Sequence, residues 1–489
     1  MRTSYITTTP VQAPPKFPKM DFLNIESPTK GSTVDQILDS AGMGWGTITA
    51  VAVCLCVCTV ESAESRLNSL VLDCALSEWP SSSMTISHET SFMFLYGLGR
   101  GSGLLIAMML GDKYGRKVLV GAGLGLVTTF SVFSALSWNF YIFVIARGLV
   151  GVGTGLCLIT SYHILSDILP SRERARVLAV VAVAAFSLGP VLVELLAALL
   201  LNSYGWRKLV ISISMITSIL IVLAHYLLIE SPRLLFCNNR FAEAEAVLRK
   251  LVALNLGGES KGPEVIVPST SEGNGSLADL FSPSLWRYTR SYLCVYAGVG
   301  FSLNALVQVD QTLTGECAFP LARQLPSLVR AICSFILTVV AYDSKDSLSR
   351  RHVALLYFFG ALLQIIVALM LINRVETLTG VLEILSSSAV IAGFAITWSH
   401  TAEILHHSDI KVAAHAFLQN MFWWAQTGAY FYTPDRDDRA QTALTVAIFF
   451  AVVAIIAGSA PELTERSQKS LKNRSTDEQD EELAALLFR

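Results

Sequence analysis

The stretch Gly111-Asp112-Lys113-Tyr114-Gly115-Arg116-Lys117 lies between two long apolar runs, residues 88 to 110 and 118 to 136. Each run is long enough to cross a bilayer as a helix, because a helical span needs about 20 mainly apolar residues. A connection this short needs a glycine for its turn, and its basic residues favour the cytosolic side of a membrane. The stretch therefore predicts a hairpin of two membrane helices whose turn faces the cytosol.

The composition extends this prediction to the whole chain. Of the 489 residues, 53% are hydrophobic and 15% are charged, and the mean hydropathy is +0.53. A soluble domain carries about a quarter charged residues. Apolar runs predict membrane spans at residues 46–75, 88–110, 118–136, 139–163, 175–202, 207–229, 289–312, 322–342, 353–373, 377–402, 412–433 and 440–460. The sequence thus predicts an all-α membrane protein with twelve transmembrane helices, embedded in the lipid bilayer.

The distribution of Lys and Arg predicts the orientation. Alternate loops carry clusters of basic residues, whereas residues 68–98 contain none. Short basic loops stay on the cytosolic side, and an even number of spans then places both termini there. Five segments follow: a cytosolic N-terminal tail (1–44), an N-terminal six-helix bundle (45–229), a cytosolic central loop (230–287), a C-terminal six-helix bundle (288–460) and a cytosolic C-terminal tail (461–489).

Several classes of function do not fit this sequence. The net charge is −2, and no basic cluster is interleaved with aromatic residues, which argues against a nucleic-acid partner. We find no secretory signal peptide, no phosphate-binding loop, no zinc spacing and no nucleophile–base pair. We therefore expect no enzyme activity, no cofactor and no metal site. Of nine cysteines, Cys74 and Cys317 are those predicted to face the exterior, where a disulfide can form.

Short charged and glycine-rich motifs recur at the ends of the spans. They lie at 112–117, 147–153, 167–174, 205–207, 230–233 and 279–283. These motifs resemble those of the major facilitator superfamily of secondary transporters, and in particular its members related to synaptic vesicle protein 2. The resemblance implies two six-helix bundles that rock between two access states. It implies gating roles for Asp112, Lys113, Gly115, Arg116, Lys117, Arg147, Asp167, Arg174, Glu230 and Arg233.

Two of these assignments leave an alternative open. In the alternative to a gating role, the basic residues of the first motif merely fix the orientation of the protein in the membrane. Asp112 is expected to face the positive end of a neighbouring helix. The motif that begins at Arg147 is rich in glycine, so close helix packing is favoured there over a proton relay.

Charged residues inside the spans predict the binding site, because ionisable groups at membrane depth are costly and face the protein interior. Glu61 and Glu64 lie three residues apart on one helix and so project to one face. They are candidates for binding a cation or a coupling proton, with structural pairing as the alternative. Arg66 is a further candidate: it points away from that face and needs a partner on another helix, so ligand binding and structural pairing both stay open for it. Asn304 and Gln308 in the seventh span complete a candidate site across the two bundles, and Glu194 is a weaker candidate. Phe422, Trp423 and Trp424 are candidates to line the cavity, with core packing or lipid contact as the favoured alternative.

The C-terminal tail contains Glu482 ahead of Leu486-Leu487, the acidic dileucine form that sorting adaptors bind. This pattern favours an intracellular vesicle, with the plasma membrane as the alternative. Two functions remain open. The first is secondary transport of a small organic solute, with an organic cation as one candidate, coupled to an ion such as a proton. The second is a non-transporting vesicle protein that uses the fold for docking, because the repeat of the loop motif at 346–351 lacks its glycine.

Overall fold

The computed structural model describes residues 34–79, 88–257, 281, 286–311, 324–343, 350–375, 378–404, 411–429 and 439–459. These residues form helices and no strand. The helices are α1 (Val34–Ala41), α2 (Trp45–Glu78), α3 (His88–Tyr114), α4 (Arg116–Ala135), α5 (Phe140–Ile168), α6 (Ser171–Tyr204), α7 (Trp206–Leu227), α8 (Pro232–Cys237), α9 (Phe241–Leu256), α10 (Trp286–Gln311), α11 (Gln324–Asp343), α12 (Arg350–Ile372), α13 (Thr379–Ile404), α14 (Lys411–Ala429) and α15 (Arg439–Ser459).

Twelve of the described helices are long, from 19 to 34 residues, and they confirm the predicted all-α architecture. Helices α2 to α7 form one bundle and α10 to α15 form the other. Nine of the described helices are long and apolar enough to cross a membrane. The short helices α1, α8 and α9 lie at one end of the first bundle, beside the turn between α3 and α4. This end is called the basic side below.

Glycines set the close approach of α3 to α5. A methyl group at Gly99 would collide with the carbonyl oxygen of Gly148, and one at Gly155 would collide with that of Arg100. The two backbones therefore touch, and no larger residue fits between them. This contact agrees with the packing role that the glycines after Arg147 predict.

The two bundles meet on both sides of the first bundle, through α3 on one side and through α6, which contacts α11 and α13, on the other. Helix α3 packs on α14, where Gly97 leaves room for the side chain of Thr427. Helix α6 packs on α11, where the hydroxyl oxygens of Ser187 and Ser334 lie 3.1 Å apart. Between these contact lines the bundles enclose a central cavity.

A layer of buried rings separates this cavity from the basic side. Tyr162 and His163 come from α5, Trp398 from α13 and His415 from α14, so both bundles contribute. The ring centroids of His163 and His415 are 5.1 Å apart, and those of Tyr162 and Trp398 are 5.3 Å apart. All four side chains are at most 1% exposed. The bundles are thus in contact through these rings on the basic side of the cavity.

Candidate functional site

The central cavity has a volume of about 200 Å³ and takes its walls from both bundles. Its hydroxyl-bearing residues are Ser62, Ser65, Ser69, Ser187, Ser334 and Ser387, and its aromatic residues are Phe186, Phe394, Phe422 and Trp423. Its charged residues are Glu61, Arg66, Arg330 and Glu383. Apolar and aromatic walls with a few polar groups are typical of a site for a small organic molecule.

Glu61 of α2 lies at the wall of this cavity. Its side chain is 2% exposed, and its Oε1 lies 3.0 Å from Nη1 of Arg100. The two side chains form an ion pair, but their geometry is not that of a hydrogen bond. Oε1 of Glu61 accepts no hydrogen bond from the residues that the structure describes. A buried carboxylate oxygen with spare acceptor capacity at a cavity wall can bind a ligand or a proton.

Glu64 is held quite differently, although it lies only one turn further along α2. Its carboxylate accepts a 2.6 Å hydrogen bond from Nη2 of Arg147 and a 3.0 Å hydrogen bond from the hydroxyl of Ser131. Arg147 also donates from Nε to Oδ1 of Asn68, at 2.6 Å. Glu64 and Arg147 are at most 1% exposed and do not line the cavity. This network joins α2, α4 and α5, so the structure favours a structural role for Glu64.

Arg66 was expected to need a partner on another helix, and it forms an ion pair with Glu194. Its Nη2 and Nε lie 3.0 and 3.1 Å from Oε1 of Glu194 on α6. Arg66 also lines the same cavity as Glu61, so it stays a candidate binding residue as well as a structural partner of Glu194. The cavity curves around α2 from Glu61 past Ser65 to Arg66, an arc of about 140° at about 100° per residue. Glu64 lies outside that arc.

Arg100 is an important residue of the site that the sequence analysis missed. Its guanidinium lies between Glu61 and the ring of Trp423, which is 3.9 Å away. The signal was available, because Arg100 is an ionisable residue inside a predicted span and such residues face functional interiors. Of the aromatic candidates, Phe422 and Trp423 line the cavity, which was the less favoured of the two alternatives for them.

The second bundle contributes Arg330 and Glu383 to the cavity, and the sequence analysis named neither of them. Its own candidates there, Asn304 and Gln308, belong to α10, but the structure does not describe their side chains. Their part in the site therefore stays a prediction.

On the basic side, the motif residues form a charged cluster. Gly115 has φ +99°, which explains the need for glycine at this turn. Glu230 accepts hydrogen bonds from the backbone N–H groups of Arg116 at 3.0 Å and Lys117 at 3.1 Å, so a carboxylate sits at the positive end of α4. Arg116 also forms an ion pair with Asp167. Asp112 was expected to face a helix end, but its side chain lies outside the described part of the chain.

Asp35 of α1 links two further motif residues and was not predicted. It accepts a 2.8 Å hydrogen bond from Arg174 and also pairs with Arg233. Burial would raise the pKa of Asp35, but the guanidinium groups of Arg233 and Arg174 hold that pKa below its ordinary value. Helix α1 thereby connects the start of α6 to the segment that follows the first bundle. Lys113, by contrast, is exposed.

Cys74, near the end of α2, forms a disulfide. Cys317, its predicted partner, lies outside the described residues. Seven cysteines of the described part of the chain, at positions 54, 56, 58, 157, 237, 294 and 333, are not disulfide-bonded.

Fold and cavity together define a multi-pass helical membrane protein with two bundles around a central polar site. The sequence model of the Major Facilitator Superfamily matches residues 75–409, which is more than half of the chain. The chain belongs to the Major Facilitator Superfamily.

Similar proteins agree with this assignment. Two SV2-related proteins are svop-1 of Caenorhabditis elegans, 28% identical over 57% of this chain and 52% of its own length, and mouse SVOPL, 26% identical over 58% and 56%. Human organic cation/carnitine transporter 2 is 30% identical over 40% of this chain and 32% of its own length. The chain thus matches less than two thirds of the length of these relatives.

The fold is also that of a solved structure. The proton:xylose symporter XylE bound to 6-bromo-6-deoxy-D-glucose superposes with a TM-score of 0.64, covering 85% of this chain and 97% of that one. The identity is 16%, so this similarity concerns the fold alone.

Proposed function

We propose that this protein is a secondary transporter that carries a small organic solute, preferably a cation, by alternating access through the central cavity. The observation that carries the proposal is Glu61: a buried carboxylate at the cavity wall whose Oε1 accepts no hydrogen bond from a described residue. A group of this kind attracts a positive charge into the cavity, and the aromatic walls can pack against its organic part.

The relatives support this class of solute. One of them is named for organic cations and carnitine, and another, from Arabidopsis thaliana, shares that name and is 27% identical over 60% of this chain. A proton is the coupling ion that the site suits, because Glu61 can hold either a proton or a cation. If the proton and the cationic solute bind the carboxylate of Glu61 in turn, the transport of one is coupled to the transport of the other.

Alternating access requires the bundles to part on the basic side. The ring layer around His163 and His415 would then open while the opposite side closes. The cluster of Arg116, Asp167 and Glu230 packs at this end, so we propose that its contacts change between the two states and set their balance. We further propose that both termini are cytosolic and that residues 482–487 direct the protein to vesicles.

Uptake measured in cells tests the proposal. A Leu486→Ala/Leu487→Ala form, designed to keep the protein at the cell surface, is offered a mixed pool of metabolites that includes organic cations. Glu61→Gln should abolish accumulation of the carried compound at matched surface levels. Glu78→Gln is the matched control, because Glu78 lies on the same helix but pairs with Arg207 at the surface, away from the cavity.

The opposite result has a defined meaning. If no compound accumulates at any pH while surface protein is confirmed, the transporter proposal is wrong. The non-transporting vesicle protein would then be the better description.

A further inference from the structure

We propose that Arg100 is the resident cation of the central site, which a cationic solute must displace in order to bind. This inference rests on the proposed function and deepens it, because it defines the chemistry of the solute as an organic cation. It also gives the cation a defined position, against Glu61 and the ring of Trp423.

The contacts of Arg100 are those expected of a bound organic cation. Its Nη1 lies 3.0 Å from the carboxylate of Glu61, and its Nη2 donates a 2.8 Å hydrogen bond to the hydroxyl of Tyr96. Its guanidinium carbon lies 3.9 Å from the ring centroid of Trp423 and 4.6 Å from that of Tyr96. A carboxylate together with two aromatic faces is the arrangement that recognises alkylammonium and guanidinium groups.

The box formed by Glu61, Tyr96 and Trp423 also opens toward the solute. Glu61 and Trp423 both line the central cavity, so an organic cation in the cavity reaches two of the three walls directly. The spare acceptor capacity of Glu61 means that the carboxylate can bind a second partner before it loses Arg100.

Arg100 has a place to move when it is displaced. A second, smaller cavity of about 30 Å³ lies beside it, lined by Asn68, Met93 and Thr427 among others. Arg100 lines this smaller cavity, and the ring of Trp423, on which its guanidinium packs, lines both cavities. A volume of this size holds about one water molecule, which a shifted guanidinium could replace.

Displacement would also change the contact between the bundles. Arg100 belongs to α3 and Trp423 to α14, the pair of helices that joins the bundles on one side of the cavity. When a solute packs on the ring of Trp423, it replaces the contact that Arg100 of the first bundle makes with this ring of the second bundle. Binding thereby acts on the boundary that must rearrange during transport.

Binding of tetraethylammonium to the purified full chain tests this proposal. This cation donates no hydrogen bond, so its affinity reports charge and aromatic contact alone. Arg100→Gln should bind it about ten-fold more tightly than the unmodified protein, which is the gain expected when Arg100 leaves the box free only about one tenth of the time. Glu61→Gln in the Arg100→Gln background should remove the gain.

Tyr96→Phe is the second variant, and it keeps the test informative if Arg100→Gln does not fold. It removes the 2.8 Å hydrogen bond to Arg100 but retains the aromatic ring, the charge and the shape. Because Arg100 is then bound less tightly in the box, the affinity for tetraethylammonium should rise about three-fold or more. A purely structural arginine predicts unchanged or weaker binding in this variant.

Arg207→Gln is the matched control. Arg207 also pairs with a glutamate, Glu78 at 2.6 Å, and lies over a tryptophan ring, Trp206 at 4.4 Å, but at the surface of the first bundle. Its substitution should leave tetraethylammonium binding unchanged.

The outcomes separate this inference from the proposed function. Weaker or unchanged binding in Arg100→Gln and Tyr96→Phe overturns the resident-cation role, even if uptake of a solute through the cavity is demonstrated. Tighter binding in both variants supports it, even if the uptake experiment finds no transport.

Discussion

The two glutamates of α2 provide a sharp test of the structure, because the sequence treats them alike and the fold does not. We predict that Glu64→Gln lowers stability much more than Glu61→Gln does. Glu64 compensates Arg147 in a fully buried pair with a 2.6 Å hydrogen bond. Removing one partner of such a pair leaves a buried charge and costs about 3–5 kcal/mol. At about 2 °C for each kcal/mol, the melting temperature should fall by about 6–10 °C.

Glu61→Gln should cost less, about 1–2 kcal/mol, and lower the melting temperature by about 2–4 °C. Arg100 keeps its hydrogen bond to Tyr96 and its two aromatic contacts when the charge of Glu61 is removed. The Oε1 of Glu61 accepts no hydrogen bond from a described residue, so less is lost there. Glu61→Gln should instead affect uptake.

The assay is thermal unfolding of the detergent-solubilised protein, scanned at one rate because membrane proteins unfold irreversibly. Glu78→Gln controls for loss of an ion pair as such, since its pair is over a third exposed and contributes about 0–1 kcal/mol. The double variant Glu64→Gln/Arg147→Gln should recover part of the stability, because no buried charge is then left alone. If Glu64→Gln is as stable as the unmodified protein yet abolishes uptake, Glu64 is a ligand-binding residue and our reasoning is wrong.

Three further predictions concern other parts of the chain. Because the pKa of Asp35 is lower in the folded than in the unfolded protein, its stabilisation is present above about pH 4 and is lost as the pH falls through the folded-state pKa. Melting temperatures of the unmodified protein and Asp35→Asn should therefore differ at neutral pH and converge below about pH 4; a constant difference would contradict this. Gly103→Ala should destabilise the protein by about 1–3 kcal/mol, since its methyl would strike the carbonyl oxygen of Val152, whereas Gly121→Ala meets nothing within 4 Å and should cost almost nothing. Cys74→Ser should remove the mobility shift that reduction causes on a denaturing gel, and an unchanged shift would mean that the disulfide lies elsewhere.

The fold could be predicted in large part from local pattern. Apolar runs of sufficient length mark a membrane helix whatever surrounds it, because the bilayer rather than a neighbouring helix supplies the apolar solvent. The turn at Gly115 and the resemblance of its motif were equally local signals. Together they predicted twelve helices, two bundles and the superfamily. The described residues form twelve long helices in two bundles, and the family match confirms the superfamily.

The site could be predicted only in part. A buried ionisable residue is visible in the sequence, and Glu61, Glu64 and Arg66 were found in this way. Their different roles were not visible, because a helical period gives the angle of a side chain on its own helix but not the rotation of that helix against its neighbours. The tertiary structure placed Arg100 beside Glu61, Arg147 beside Glu64 and Glu194 beside Arg66.

The tertiary structure likewise decided between packing and the cavity for Trp423, which lines the cavity, and it brought Asp35 to two distant arginines. By itself, the sequence determined that this chain is a polytopic membrane protein with charges that must face its interior. Which charge meets which partner, and which faces the cavity, was decided by the packing of the helices. The physical reason is that pairing inside a membrane depends on the distances between helices that are far apart in the chain, and no local pattern contains them.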